Sequence, residues 1–208
     1  MKTVALIEAS VQPGGRLPAP KPLDLVQAFV NTVDREHGPD LLDEPAHLAA
    51  WAKSRGFDVP GDVEHVREVR EALRALLWAN NGASAEGLLG RGEVAGGGGG
   101  ARGDVAGGAA RVRGDGVRAA VATLDAAAAG LRARFDPPRL DGDGVVETVL
   151  GVVFLSMADG SWARLKACPG ERCGWAFYDR SVNASATWCS MRTCGNRAKT
   201  RSYYRRTR

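Results

Sequence analysis

The chain has 208 residues, 44% of them hydrophobic and 25% charged, with a formal net charge of +4. The length suits one medium domain plus a small accessory module, or two unequal domains, and the composition reads as a soluble globular protein. The longest apolar run, "VVETVLGVVFLSM" at 145–157, has 13 residues and carries Glu147, too short for a membrane span. Near the start, Glu8 interrupts the apolar "TVALI" before a signal-peptide core forms, so the reading is a cytoplasmic protein without a membrane partner.

The predicted elements follow in order. Residues 12–22, "QPGGRLPAPKP", form a Pro/Gly-rich lead-in. "LDLVQAFVNTVD" then places Leu23, Val26, Phe29, Val30 and Val33 at helical spacing, which predicts a helix over 23–34. In the next segment Pro45 suits a first helical turn, Leu48, Trp51 and Ala52 share a face, and Gly56 stops the helix. The strongest helix pattern is "GDVEHVREVREALRALLWANNG". Val63, Val66, Val69, Leu73, Leu76 and Leu77 make its stripe, Asp62 its N-cap, Asn81-Gly82 its end, and the opposite face is charged.

Residues 87–116 are glycine-dense and poor in large apolar side chains, which predicts a flexible insert; its two Arg-Gly-Asp triplets are read as chance. "VRAAVATLDAAAAG" resumes helical pattern as far as Gly130, "LRARFDPPRLDGDG" reads as a short strand or hairpin, and 145–157 as a buried helix. Across residues 1–160 no nucleophile, acid–base pair or nucleotide loop is visible, and His37, His47 and His65 are scattered, so an enzyme is not expected. The fold class expected is α+β: a mainly helical N-terminal domain with a small β-hairpin, then a small four-cysteine module and a basic C-terminal helix.

Charge and cysteine both concentrate in 161–208. Eleven Lys/Arg against two acidic residues give that segment +9 and leave −5 on the rest. A basic end on an acidic body suits a polyanion, with a solvated tail as the alternative. The only cysteines are Cys168-x4-Cys173 and, after fifteen residues, Cys189-x4-Cys194. Two close pairs joined by a hairpin-sized segment suit a tetrahedral four-thiolate site, one metal per chain. Thiolates in that geometry favour Zn²⁺ over an iron–sulfur cluster. A redox switch would normally carry a tight CxxC, and inert buried cysteines would not gather in two pairs. Four thiolates leave no open position for hydrolysis. The mini-core beneath the metal is expected from Trp175, Phe177 and Tyr178. In "GNRAKTRSYYRR", Arg197, Arg201, Tyr204/Arg205 and Arg208 fall on one helix face, flanked by Lys199, Tyr203 and Arg206.

The stretch "CPGERCGWAFYDRSVNASATWCSMRTCGNRAK" resembles the CGNR zinc finger, named for the run Cys194-Gly195-Asn196-Arg197. "LDLVQAFVNTVD", "DLLDEPAHLAAWAKSRG" and "VREVREALRALL" resemble, in order, the ABATE-type domain of bacterial stress-induced transcription regulators. The resemblance implies a domain at 1–160 and a finger at 161–208. It implies Zn²⁺ on Cys168, Cys173, Cys189 and Cys194, and nucleic-acid contacts from the finger. For those contacts the candidates are Asn196, Arg197, Lys199, Arg201, Arg205 and Arg206. It further implies a sensory or ligand-binding body, with Asn31 and Arg70 in its recurring motifs. The reading is therefore a DNA-binding transcription regulator, with a small-molecule effector or homodimer at the body. The alternative is a finger docking on an acidic protein such as the transcription machinery. One departure favours the alternative: the usually arginine-rich segment before Cys189 here reads "SVNASATW".

Overall fold

The computed structural model describes residues 12–36, 38–57, 61–82, 115–135, 138–142 and 144–207. His37 and nearly all of the glycine-dense segment read as an insert lie outside the described residues. The helices are α1 Leu23–Val30, α2 Pro45–Lys53, α3 Val63–Asn80, α4 Asp115–Ala127, α5 Val145–Ala158 and α6 Asn196–Arg206. Two antiparallel hairpins accompany them: β1 Arg132–Phe135 with β2 Pro138–Asp141, and β3 Leu165–Ala167 with β4 Ala176–Tyr178. No helix among the described residues is long and apolar enough to cross a membrane.

Local sequence explains most boundaries. Pro45 opens α2 in its first turn, where its missing N–H is no loss. Asp62 caps α3 by accepting from the His65 amide at 2.9 Å, and Asn81 with Gly82 (φ +70°) ends it. The expected helix over 23–34 stops at Val30 instead. Thr32 turns its hydroxyl back onto the Phe29 carbonyl, and Val33 leaves the helix to bridge Asp40. The helical pattern was diluted here by residues that bond across the molecule.

The core lies between α1, α2 and α3, with α4 and α5 closing it. Val26, Phe29, Val30, Leu42, Leu48, Val66, Leu73 and Leu77 are fully buried, and Phe29 and Trp51 meet at 5.8 Å in a tilted pair. The β1–β2 hairpin lies on α5, where Gly151 allows contact: a Cβ there would sit 2.3 Å from the Leu140 carbonyl oxygen. On α3 the structure corrects the charged-face reading. Arg70 (3% exposed) and Arg74 (0%) are inside the protein with the stripe. Arg70 makes a two-pronged bond to Asp40 at 2.6 and 2.7 Å and also reaches Thr32 and Glu71. Arg74 bonds Glu71, the Val30 carbonyl and the Gly174 carbonyl.

That last bond crosses from α3 into the cysteine-bearing segment, and packing does the same. The β3–β4 hairpin alternates its faces as strands must. Leu165, Ala167, Ala176 and Tyr178 join the main core against α1 and α3. Phe177 points the other way, beneath the cysteines, and packs with Cys168, Cys189 and Cys194. Of the three expected mini-core aromatics, Trp175 and Phe177 are there, joined by Trp188. Tyr178 belongs to the main core by strand parity.

Candidate metal centre

Each cysteine pair is built by a different local device. The first pair spans a tight turn closed by the Cys173 amide on the Gly170 carbonyl, and the Cys168 amide bonds the Trp175 carbonyl at 2.9 Å. The second pair spans a wide π-type turn, Met191–Gly195, closed by the Gly195 amide on the Ser190 carbonyl. The extra residue in that turn brings Cys194 back over Cys189.

The four sulfurs lie within 4.8 Å of one another, three of the residues being buried and Cys173 half-buried. The Sγ–Sγ separations are 3.6 Å for Cys173–Cys189 and 3.7 Å for Cys189–Cys194. A tetrahedron with Zn–S bonds of about 2.3 Å has edges of about 3.8 Å, so these two edges already stand at the spacing zinc requires. All four thiols are free. Electrostatics agrees with the geometry. Hydrogen bonds from Cys173 and Cys189 pull the Cys168 thiol down to about 2. The same bonds push Cys173 and Cys189 up, and burial pushes Cys194 up. Four neighbouring sulfurs resist ionising together, and a divalent cation is what lets all four do so. The donor set thus fits one Zn²⁺ held by Cys168, Cys173, Cys189 and Cys194. Bound there, zinc cross-links the two turns and has no coordination site left for a substrate.

Groups that composition and spacing could not single out support these turns. Trp78 donates to the Cys168 carbonyl at 3.1 Å, and Asn81 to the carbonyls of Ala167 and Thr187. Arg16, in the Pro/Gly-rich lead-in, donates to the Cys189 and Trp188 carbonyls at 2.8 and 3.0 Å and stacks on Phe177. Gln12 accepts from Trp175 and Gln27. The segment 181–187 is fixed from inside. Buried Lys166 bonds Asp179 at 2.8 Å and the Ala184 and Ala186 carbonyls. Asp179 also accepts from the Ser181 hydroxyl and amide and from the Ala186 amide. Burial works against ionisation of Asp179, but Lys166 and Ser181 outweigh it and hold its carboxyl at about 2.

The CGNR run becomes legible atom by atom. Cys194 supplies a sulfur. At Gly195 a Cβ would sit 2.6 Å from the Met191 sulfur and 2.8 Å from its methyl, so any larger residue has to displace that side chain. Asn196 begins α6 and reaches the Arg192 carbonyl at 3.3 Å. Arg197 pairs with Glu36, in the connection between α1 and α2, and one turn on Arg201 pairs with Glu171 in the first cysteine turn. Lys199, Arg205 and Arg206 are exposed along the rest of α6.

Asn31 and Arg70 sit elsewhere. Asn31 is buried and pairs with the backbone of Ala176 in both directions, accepting its N–H at 2.7 Å and donating to its carbonyl at 2.9 Å. The space beside it is about 10 Å³, room for roughly one water. Arg70 is held by Asp40, Thr32 and Glu71, as described above.

A small helical domain carrying a four-thiolate centre and a basic helix defines a zinc-finger protein. The sequence matches the CGNR zinc finger over residues 164–207 and, over 23–159, ABATE, described as "Putative stress-induced transcription regulator". The chain belongs to that regulator family and ends in a CGNR finger. No curated protein matches it.

Proposed function

We propose that the protein regulates transcription by binding duplex DNA through the finger, with α6 as the contact helix. The observation that carries this is the placement of α6. It starts two residues after the zinc ligand Cys194, and Asn196, Arg197, Lys199, Arg201, Arg205 and Arg206 are all exposed on it. Anchored at one end by the metal, a basic helix meets phosphates without first being ordered. The test is titration of the zinc-loaded protein with duplex DNA at two salt concentrations. Affinity should fall steeply with salt, and binding that is absent or indifferent to salt sinks the reading.

In this reading the N-terminal domain has the sensory or self-association role. Asn31 links the domain to the finger through the backbone of β4, whereas Arg70, engaged with Thr32, Asp40 and Glu71, braces the domain itself. No catalytic step is assigned to the protein. A second reading, docking on an acidic protein, is favoured by one observation: the rigid segment 181–187 presents Val182, 92% exposed, where cations would serve DNA. A partner complex that survives nuclease treatment and loses affinity on Val182→Asp supports it.

A further inference from the structure

A groove of about 650 Å³ runs between the Cys168–Cys173 turn and the first turns of α6. Arg172, Arg192, Arg197 and Arg201 line it, and so do two carboxylates, Glu36 and Glu171. Arg197 and Arg201 are four residues apart, neighbours on one helix face and about 6 Å apart along the axis. Each donates to one of the carboxylates. Guanidinium groups recognise carboxylate and phosphate oxygens by the same charge and the same donor fork. The two carboxylates therefore stand where oxygens of a nucleic-acid backbone would be received.

The two occupants differ in origin. Glu171 belongs to the first cysteine turn and moves with the metal centre. Glu36 comes from the N-terminal domain, in a connection pinned at both ends: Val33 bridges Asp40, and Asp40 is fixed by buried Arg70. Its amide also bonds Asp34 at 2.9 Å. We propose that this groove is the phosphodiester-binding face of the finger and that Glu36 occupies it as a competitor supplied by the N-terminal domain. The proposal rests on the DNA-binding reading above. Arg197 is about half exposed, so its ion pair is weak enough for a phosphate to displace. Glu36 sets a threshold for binding, and any change in the α1–α2 connection resets it.

The test uses the zinc-loaded full chain and the variants Glu36→Gln, Arg197→Gln and their double. Glu68→Gln, an exposed site on α3, controls for net charge. Duplex DNA affinity is read by fluorescence anisotropy over a salt series. Relative to Glu68→Gln, Glu36→Gln should bind up to about fivefold tighter, the range an exposed ion pair is worth. Its slope of log affinity against log salt should steepen by about one. Arg197→Gln should cost more affinity in the Glu36→Gln background than in the parent. Equal affinity and slope for Glu36→Gln and Glu68→Gln overturn the proposal. If no variant binds duplex DNA, the DNA-binding reading fails. Heparin chromatography of the same variants then decides the competitor claim: later elution of Glu36→Gln than Glu68→Gln supports it, and co-elution overturns it.

Discussion

Replacing Arg74 with methionine tests whether the finger is held by the helical domain. Arg74 is fully buried and donates at 2.6 Å to the Gly174 carbonyl, next to the ligand Cys173, and at 2.6 Å to the Val30 carbonyl at the end of α1. Methionine keeps much of the stem and removes every donor. Two buried carbonyls then lack a partner, at about 1–3 kcal/mol each, whereas Glu71 keeps Arg70 at 2.9 Å. The expected loss is about 4 kcal/mol, a fall in melting temperature of roughly 8–16 °C for a chain of this size. Because one orphaned carbonyl adjoins a ligand, zinc should also be surrendered more readily to a competing chelator. Arg70→Met is the internal comparison. It should destabilise through Asp40 and Thr32 yet leave zinc affinity unchanged, since it touches nothing in the finger. Thermal melts of the zinc-loaded proteins and chelator titration give both readings. A melting temperature within 3 °C of the parent for Arg74→Met, with unchanged zinc affinity, would refute the bridging role.

Other outcomes follow from single contacts. Asn31→Ala should cost about 1–3 kcal/mol in urea denaturation, because the Ala176 amide loses its acceptor while its carbonyl keeps Gln27 at 3.1 Å. A neutral result would show that the pair is not made in solution. Lys166→Met leaves the buried Asp179 carboxylate without its cation, a loss of about 3–5 kcal/mol. Limited proteolysis should then cut within 181–187 well before the parent is touched. Loading zinc into apoprotein at neutral pH should release protons, because neighbouring sulfurs and burial push the Cys173, Cys189 and Cys194 thiols up without the metal. Calorimetry in buffers of different ionisation enthalpy counts them, and a release near zero contradicts the thiol arrangement.

The helices and the metal ligands were legible because both are written in spacing. The stripe Val66, Val69, Leu73, Leu77 and the two Cys-x4-Cys pairs need no knowledge of distant residues. Arg74 and Arg70 were not legible, since on a helical wheel they extend a charged face; only the carbonyls and carboxylates brought to them by α1, the finger and Asp40 make their burial tolerable. Arg16 was hidden for a related reason: nothing local in a Pro/Gly-rich lead-in says that it will meet Cys189, 173 residues away. Tyr178 could have been placed by strand parity with Ala176, had the short β4 been recognised within "CGWAFYDRS".

The two-faced β3–β4 hairpin limits how this finger could be moved to another protein. One face carries Phe177 under the sulfurs, and the other gives Leu165, Ala167, Ala176 and Tyr178 to a core made by α1 and α3. Cut free near residue 160, the finger would present that second face to water as an adhesive apolar strip. Its Ala167, Cys168 and Gly174 carbonyls would lose Asn81, Trp78 and Arg74. A chimera that borrows this finger therefore has to import the docking surface of α3 with it. The finger is an interchangeable part only together with its socket.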